Sequence, residues 1–338
     1  MAHEIRDITI IGAGPTGLFA LFYAGMRGAS AQIVDALPEA GGQLTALYPE
    51  KYIFDVGGLP KVLAKDLVRS LVEQAGQFKS PVHCNQHVIA LEEGDGHFTL
   101  VTATDRFPTR AIVIAAGIGA FEPRRLPQAA AHSWYGRGIY DRVSDPAAFA
   151  GQRVVIIGGG DSAFDWAHQL RGRAASVALV HRSDRYRAHA STVAEVHAAA
   201  AAGDTALHPF HELHDVIAED GRIVALDLKD IKAKSTRRIG ADVVLPMLGY
   251  VSDIGALAEW GLQVESDEII VNSQMETGRA GVYAAGDITT YPGKLKLIAT
   301  GFGEAATAVN QAVHHIYPEK KVNPGHSSNL AIFGQKED

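Results

Sequence analysis

Hydrophobic and polar residues alternate along this chain in blocks that predict strands and helices in turn. Two predicted strands, 8–11 and 152–157, each lead into glycines and then into a helical pattern. Residues 61–74 repeat apolar side chains on one helical face. Further predicted strands are 82–91, 98–103, 110–119, 176–182, 241–250 and 281–287, and further predicted helices are 190–202 and a segment from about 301. Strands that alternate with helices predict an α/β fold built on parallel sheets.

Composition narrows the class of protein. With 338 residues, 47% hydrophobic and 20% charged, the chain is long enough for two globular domains. No apolar run approaches the ~20 residues that span a membrane, and residues 8–11 belong to a strand rather than to a signal peptide. The net charge of -7 argues against nucleic-acid binding, and the single cysteine, Cys84, excludes an intrachain disulfide. We therefore expect a cytoplasmic protein.

The first glycine turn carries the spacing of a dinucleotide-binding site. Gly12, Gly14 and Gly17 match G-x-G-x-x-G between a strand and a helix, where a pyrophosphate can approach the helix N-terminus. Asp35 follows at the end of the next strand, where a carboxylate accepts hydrogen bonds from ribose hydroxyls. A glycine turn alone is weak evidence, but the flanking strand, helix and acid predict that an adenine dinucleotide binds here.

The second glycine turn repeats the pattern with a different charge. Residues 158–163 read Gly-Gly-Gly-Asp-Ser-Ala, so that Gly158, Gly160 and the helix beginning at Asp161 and Ser162 form a second pyrophosphate site. At the end of the next strand, where the first repeat has Asp35, the sequence has basic residues. These are His181, Arg182 and, five residues later, Arg187. Arginines pair with a 2′-phosphate, which favours NADP(H) over NAD(H), although a solvated arginine run remains the alternative.

Two dinucleotide folds in one chain ordinarily hold FAD in the first and a nicotinamide cofactor in the second. A third cluster, Gly281 to Asp287, ends an apolar strand in a carboxylate that can bond the flavin ribitol, before another helix N-terminus. This order predicts a discontinuous FAD domain, 1–119 and 241–338, with an NADPH domain inserted at 120–240.

Two other groups of residues leave alternatives open. Gln43 offers an amide close after the acidic strand, and among the aromatic residues that follow, one of Tyr48, Tyr52 or Phe54 could stack on a flat cofactor or simply belong to the core. The histidines at 208, 211 and 214 lack the spacing of a zinc pair and have no cysteine nearby, so no metal site is predicted.

Taken together, the three clusters resemble the thioredoxin-reductase-like branch of the two-dinucleotide flavoprotein reductases. Thioredoxin reductases carry a Cys-x-x-Cys pair that this chain lacks. The sequence is more similar to the ferredoxin/flavodoxin–NADP⁺ reductases of this fold, over nearly the whole chain. The matching segments are Gly-Gly-Gln-Leu-Thr-Ala-Leu-Tyr-Pro-Glu-Lys-Tyr at 41–52, the glycine turn at 158–163, His-Arg…Tyr-Arg-Ala-His at 181–189 and Leu-Ile-Ala-Thr-Gly-Phe-Gly-Glu-Ala at 297–305.

The resemblance implies roles for particular residues. Tyr48 is expected to stack on one face of the flavin. A C-terminal extension, about 318–338, is expected to cross to the partner subunit of a homodimer, where His326 stacks on the other face and Ser327 and Ser328 lie beside it. The FAD contacts implied in all are Thr16, Asp35, Gln43, Tyr48, Val88, Phe121 and Asp287.

The resemblance also implies an activity. Hydride would pass between NADPH and FAD, and single electrons between FAD and ferredoxin or flavodoxin, with no catalytic acid or base. Such carriers are acidic, so docking would use basic residues, for which Arg124, Arg125, Arg137 and Lys294 are candidates. The alternatives are an NADPH-dependent flavin reductase of another acceptor, such as a quinone or a ferric chelate, and a redox-sensing flavoprotein.

Overall fold

The computed structural model describes residues 4–49, 51–141, 143, 145–322 and 327. The chain forms two compact units. Unit 1 consists of 1–121 and 252–338, and unit 2 consists of 122–251.

The first part of unit 1 alternates strands and helices as predicted. Its elements are β1 (Arg6–Ile11), α1 (Pro15–Met26), β2 (Ala31–Val34), α2 (Gln43–Ala46), β3 (Tyr52–Ile53), β4 (Val62–Leu63), α3 (Ala64–Gly76), β5 (Val82–His83), β6 (Val88–Gly94), β7 (His97–Thr102) and β8 (Arg106–Ile114). The single strand predicted at 82–91 is two strands, because Asn85 between them has a φ of 56°.

The remaining elements follow in chain order. They are β9 (Ala120–Pro123), α4 (Ala129–His132), β10 (Arg153–Ile157), α5 (Asp161–Gln169), β11 (Ser176–His181), α6 (Ala190–Ala202), β12 (Ala206–Pro209), β13 (His211–Glu219), β14 (Arg222–Asp230), β15 (Thr236–Gly240), β16 (Val243–Pro246), β17 (Tyr250–Asp253), β18 (Val264–Glu265), β19 (Glu268–Ile270), β20 (Val282–Ala284), β21 (Thr289–Thr290) and α7 (Ile298–Ile316). The described residues also form short 3₁₀ helices at Pro146–Phe149 and Gly255–Glu259.

A seven-stranded sheet forms the centre of unit 1. Its order is β5-β2-β1-β8-β7-β6, and β20 also pairs with β8. The central strands are parallel, with Ile8 opposite both Ala31 and Ala111, whereas β6, β7 and β8 form an antiparallel ribbon. The strand β1 after Arg6 and the second half of β8, residues 111–114, are buried, and α1, α3 and α7 contribute to the same hydrophobic core.

Unit 2 is a smaller fold of the same kind. Its parallel sheet has the order β12-β11-β10-β16, beside an antiparallel sheet of β13, β14 and β15. Because side chains alternate along a strand, Val154 and Ile156 of β10 enter one hydrophobic cluster, and Val155 and Ile157 enter another. A four-stranded parallel sheet with a core on both faces is typical of a dinucleotide-binding fold.

The second division between the units lies after residue 251 rather than after 240. The physical reason is the pairing of β16, which runs parallel to β10 from Val154 opposite Val243 to Ile157 opposite Pro246. A strand that is hydrogen-bonded along its length to β10 belongs to the unit that contains β10. The first division, after residue 121, lies close to the predicted 119. At the two divisions, β9 and β17 pair as a two-stranded sheet.

Candidate functional site

The glycine turn between β1 and α1 has the shape that a bound pyrophosphate requires. Gly12 has a φ of 104°, and a Cβ atom there would lie 2.4 Å from the Ala115 carbonyl oxygen. A Cβ on Gly17 would lie 1.8 Å from the Gly12 oxygen, so that helix and strand touch at backbone distance. At Gly14, by contrast, an added Cβ would have no other part of the protein within 4 Å. The turn is therefore closed where the protein packs on itself and open at the helix N-terminus.

That N-terminus is available to an anion. No side chain caps α1, whose N-cap is Gly14 and whose first residue is Pro15. The first N–H groups of a helix have no intrahelical acceptor and carry a partial positive charge. An uncapped helix end beside an open glycine face fits the phosphates of a dinucleotide.

Asp35 lies where the sequence predicts, directly after β2. Its carboxylate accepts hydrogen bonds from the backbone N–H of Leu37 at 2.6 Å and from that of Ala13. Burial raises the pKa of Asp35, while those two hydrogen bonds act in the opposite direction. The side chain thus ties the end of β2 to the glycine turn.

Four of the residues assigned to FAD by resemblance lie together in unit 1. The Gln43 amide hydrogen-bonds the carboxylate of Asp287, and burial raises the pKa of Asp287. Burial, with the charge of Asp287, raises the pKa of Tyr48 to about 12. Thr16 packs against the turn at Gly286, where an added Cβ would lie 2.8 Å from the Thr16 Oγ1.

The other FAD assignments stand apart from this cluster. Val88 begins β6, half-buried, and pairs with Thr102 in the antiparallel ribbon. Phe121 lies on β9, and its side chain is outside the described residues, as are His326 and Ser328. Ser327 is described and exposed.

A buried ion pair adjoins Asp287, and sequence reasoning missed it. The side chains of Lys294 and Glu304 are only 6% and 5% exposed, and Lys294 Nζ lies 2.5 Å from Glu304 Oε1. Lys294 is therefore no candidate for a docking surface, which corrects the expectation above. One signal was present in the sequence, since Glu304 is the single acidic residue of α7, in a run of small and apolar residues.

In unit 2, the second glycine turn reproduces the first. A Cβ on Gly158 would lie 2.2 Å from the Met247 carbonyl oxygen, whereas nothing lies within 4 Å of a Cβ on Gly160. No side chain caps α5 at Gly160. Asp161, in the first turn of α5, accepts a hydrogen bond from the His189 N–H at 2.9 Å, and the neighbouring Ser162 is half-buried.

The chain after β11 folds back over this turn. The His181 ring covers Gly159, where an added Cβ would lie 2.4 Å from the imidazole. The Arg187 N–H donates to the Gly159 oxygen at 2.8 Å. Burial lowers the pKa of His181, and the charges of Arg182 and Arg187 lower it further. His181, Arg182 and Arg187 therefore lie close together.

Both arginine side chains are exposed. Within the part of the chain that the structure describes, neither guanidinium has a carboxylate partner. The two guanidinium groups thus have no ion-pair partner among the described residues, and they lie beside the open glycine turn of a dinucleotide fold. Such a pair of guanidinium groups matches a phosphate monoester.

Comparison with known proteins decides the family. The chain matches the sequence profile of the pyridine nucleotide-disulphide oxidoreductase family over residues 6–312. It is 47% identical over 329 residues to the ferredoxin–NADP reductase of Halalkalibacterium halodurans, which covers 97% of this chain and 98% of that protein. It is also 47% identical over 335 residues to the ferredoxin–NADP reductase of Thermus thermophilus, covering 99% and 100%. The chain belongs to the ferredoxin–NADP reductase family.

Solved structures support the fold. The thioredoxin reductase of Lactococcus lactis superposes with a TM-score of 0.76 at 23% identity, covering 93% of this chain and 99% of that one. The thioredoxin reductase of T. acidophilum gives the same score at 23% identity over 92% of this chain and 98% of that one. The predicted α/β class and the two Rossmann-like domains are confirmed. Among the described residues, no helix combines the length and apolar character that a membrane crossing requires.

Proposed function

We propose that this protein is a ferredoxin–NADP reductase that uses FAD and NADP(H). The observation that carries the proposal is the identity of 47% to ferredoxin–NADP reductases over nearly the full length of both chains. The paired arginines beside the second glycine turn support it, because they provide a phosphate site that a flavoprotein without NADP(H) does not need.

FAD fits unit 1. The pyrophosphate would lie on the open face of Gly14 at the N-terminus of α1. The Asp35 carboxylate would accept hydrogen bonds from the ribose hydroxyls. Asp287 and Gln43 would hold the flavin side chain, with Tyr48 beside the ring. When bound, the flavin accepts a hydride and passes on single electrons, and the protein contributes binding and orientation.

NADP(H) fits unit 2. The open face at Gly160 and the uncapped N-terminus of α5 would hold its pyrophosphate. Arg182 and Arg187 would hold the 2′-phosphate, and the His181 ring closes the turn behind them.

Disulfide chemistry does not fit, although the family profile is named for it. Dithiol exchange needs two cysteines, and this chain has one. Burial raises the pKa of the Cys84 thiol, and the nearby charges of Asp35 and Glu39 raise it further. A thiol with a raised pKa is a poor nucleophile at neutral pH.

We assign carrier docking to a basic surface on unit 2, formed by Arg124, Arg125 and Arg137, all exposed. The Arg125 guanidinium lies 4.8 Å from the centre of the Tyr135 ring, and the Arg137 guanidinium lies 5.4 Å from the centre of the Trp134 ring. Aromatic faces beside charged groups are frequent at protein interfaces.

Reversing the charge at this surface tests the assignment. Arg125→Glu with Arg137→Glu should slow ferredoxin reduction at low salt by at least about tenfold and flatten its salt dependence. The rate with ferricyanide, which needs no docking, serves as the control. An unchanged salt dependence with ferredoxin would refute this surface.

The C-terminal extension, about 318–338, is proposed to cover the flavin of a partner subunit in a cytoplasmic homodimer, with His326 on the ring and Ser328 beside it. The start of the extension is held to unit 1, because Arg27 donates to the Lys321 oxygen at 2.6 Å and the His314 ring contacts the Lys320 oxygen at 3.1 Å. Truncation after residue 322 should keep FAD bound and increase flavin fluorescence. A truncated protein with unchanged fluorescence would remove this role.

The proposed function is tested by anaerobic titration of the yellow protein with NADPH. Stoichiometric bleaching of the flavin absorbance is expected, and reoxidation on addition of oxidised ferredoxin should follow. A protein that binds FAD but is not bleached by NADPH would contradict the proposal.

A further inference from the structure

The buried ion pair in unit 1 is built into the turn that carries Asp287. Lys294 Nζ lies 2.5 Å and 2.7 Å from the two oxygens of the Glu304 carboxylate. Both side chains are at least nine-tenths buried. Charges in such a place are costly unless they are paired and fully hydrogen-bonded, so the pair needs a structural or functional reason.

The two charged side chains form hydrogen bonds with the backbone N–H and the backbone oxygen of Gly286. The Gly286 N–H donates to Glu304 Oε2 at 2.7 Å, and the Gly286 oxygen accepts from Lys294 Nζ at 2.9 Å. The Tyr291 hydroxyl donates a further hydrogen bond to Glu304 Oε1 at 2.5 Å. Gly286 has a φ of 83° and directly precedes Asp287. The Gly286 oxygen also accepts from the N–H of Thr289 at 3.0 Å and from its hydroxyl at 2.8 Å. The ion pair and Thr289 together therefore hold the backbone from which the Asp287 side chain projects.

The pair also balances charge at Asp287. Burial raises the pKa of that carboxyl group, and Glu304 raises it further, whereas Lys294, Lys296 and the hydrogen bond from Gln43 lower it. Without the Lys294 cation, the negative charge of Glu304 would raise the pKa of Asp287 with less opposition.

We propose that Lys294 and Glu304 are positioning residues for FAD. They hold the Gly286–Asp287 turn in the conformation that binds the flavin side chain, and so they set FAD affinity through Asp287. This inference rests on the FAD site of the proposed function.

The chain offers a matched control in Lys296. It also carries a positive charge that lowers the pKa of Asp287, but it pairs with Glu268 and its side chain is 47% exposed. A substitution at Lys296 removes charge near Asp287 without removing a bond to Gly286.

The experiment measures FAD affinity of the apoprotein by the quenching of flavin fluorescence. Lys294→Met and Glu304→Gln are each expected to raise the FAD Kd by about tenfold, and Lys296→Met by less than about threefold. Because both residues act as one unit, the FAD Kd of the double variant should lie within about threefold of the Kd of the single variant that binds FAD less tightly. Two independent losses would instead multiply to a roughly hundredfold increase in Kd. NADP⁺ affinity, measured on the same samples, should not change.

Three results would overturn the inference. One is an FAD affinity in Lys294→Met and Glu304→Gln within about twofold of the wild-type value. The second is an equal loss in Lys296→Met, which would assign the effect to charge alone. The third is additivity in the double variant. If Lys294→Met does not fold, Glu304→Gln takes its place, because it keeps the shape of the side chain and an acceptor for the Gly286 N–H but removes the charge that pairs with Lys294. An FAD affinity within about twofold of the wild-type value in that variant then overturns the inference. A wild-type apoprotein that does not bind FAD would instead contradict the proposed function.

Discussion

The choice of NADPH over NADH should depend on two arginines, and the double variant Arg182→Ala, Arg187→Ala measures their contribution. Hydrogen bonds to charged groups contribute about 1.5–3 kcal/mol each. Since both side chains are exposed, a lower value of about 1–1.5 kcal/mol each is appropriate. The KM for NADPH should then rise by roughly 30- to 150-fold, whereas the KM for NADH, which lacks the 2′-phosphate, should change by less than about threefold.

Initial rates with ferricyanide as acceptor give both KM values. The matched control is Arg185→Ala, an exposed arginine of the same loop whose backbone, rather than its guanidinium, hydrogen-bonds the His181 ring. A second readout needs no cofactor, because the double variant removes two charges that lower the pKa of His181. That pKa, followed by NMR, should rise. Equal changes in KM for NADPH and NADH would refute the assignment of the 2′-phosphate site.

Two further predictions follow from the geometry of unit 2. Gly160→Ala places a methyl group in open space, so the free energy of unfolding should fall by no more than about 1 kcal/mol. NADP⁺ affinity, measured by calorimetry, should fall at least about tenfold, because the methyl group occupies the pyrophosphate face. Unchanged affinity would place the dinucleotide elsewhere. Burial, with the charges of Arg237 and His211, lowers the pKa of His208 to about 4. Because the unfolded chain then binds this proton more readily, stability should be lost as the pH falls from about 6.5 towards 4. His208→Asn should flatten that part of the pH profile of thermal unfolding, and a profile identical to wild type would show that His208 does not contribute.

Local patterns in the sequence were sufficient for the family, the fold class and the cofactors. A glycine turn between a strand and a helix is determined by neighbouring residues, so the turns at Gly12 and Gly158 could be located from spacing alone. The same holds for the end of the following strand, where Asp35 and His181 lie. The roles of individual site residues stay predictions until the variants above are measured.

What the sequence could not provide depends on how the folded chain pairs its strands and packs its side chains. Residues 243–246 belong to unit 2 because they pair with β10, which lies almost ninety residues earlier. A lysine at position 294 is expected at the surface, and only the folded structure shows that it is buried against Glu304. A charge count cannot distinguish a solvated lysine from a buried one, since burial is a property of the packed structure.

The most direct test of the account is NADPH-driven reduction of cytochrome c, measured with and without ferredoxin at low and high salt. Ferredoxin should stimulate this reduction strongly at low salt, and the stimulation should decline as salt screens the docking charges. Stimulation of this kind would establish transfer of single electrons through a docked acidic carrier. The contradicting result would be that cytochrome c or a free quinone is reduced equally well without ferredoxin at either salt concentration.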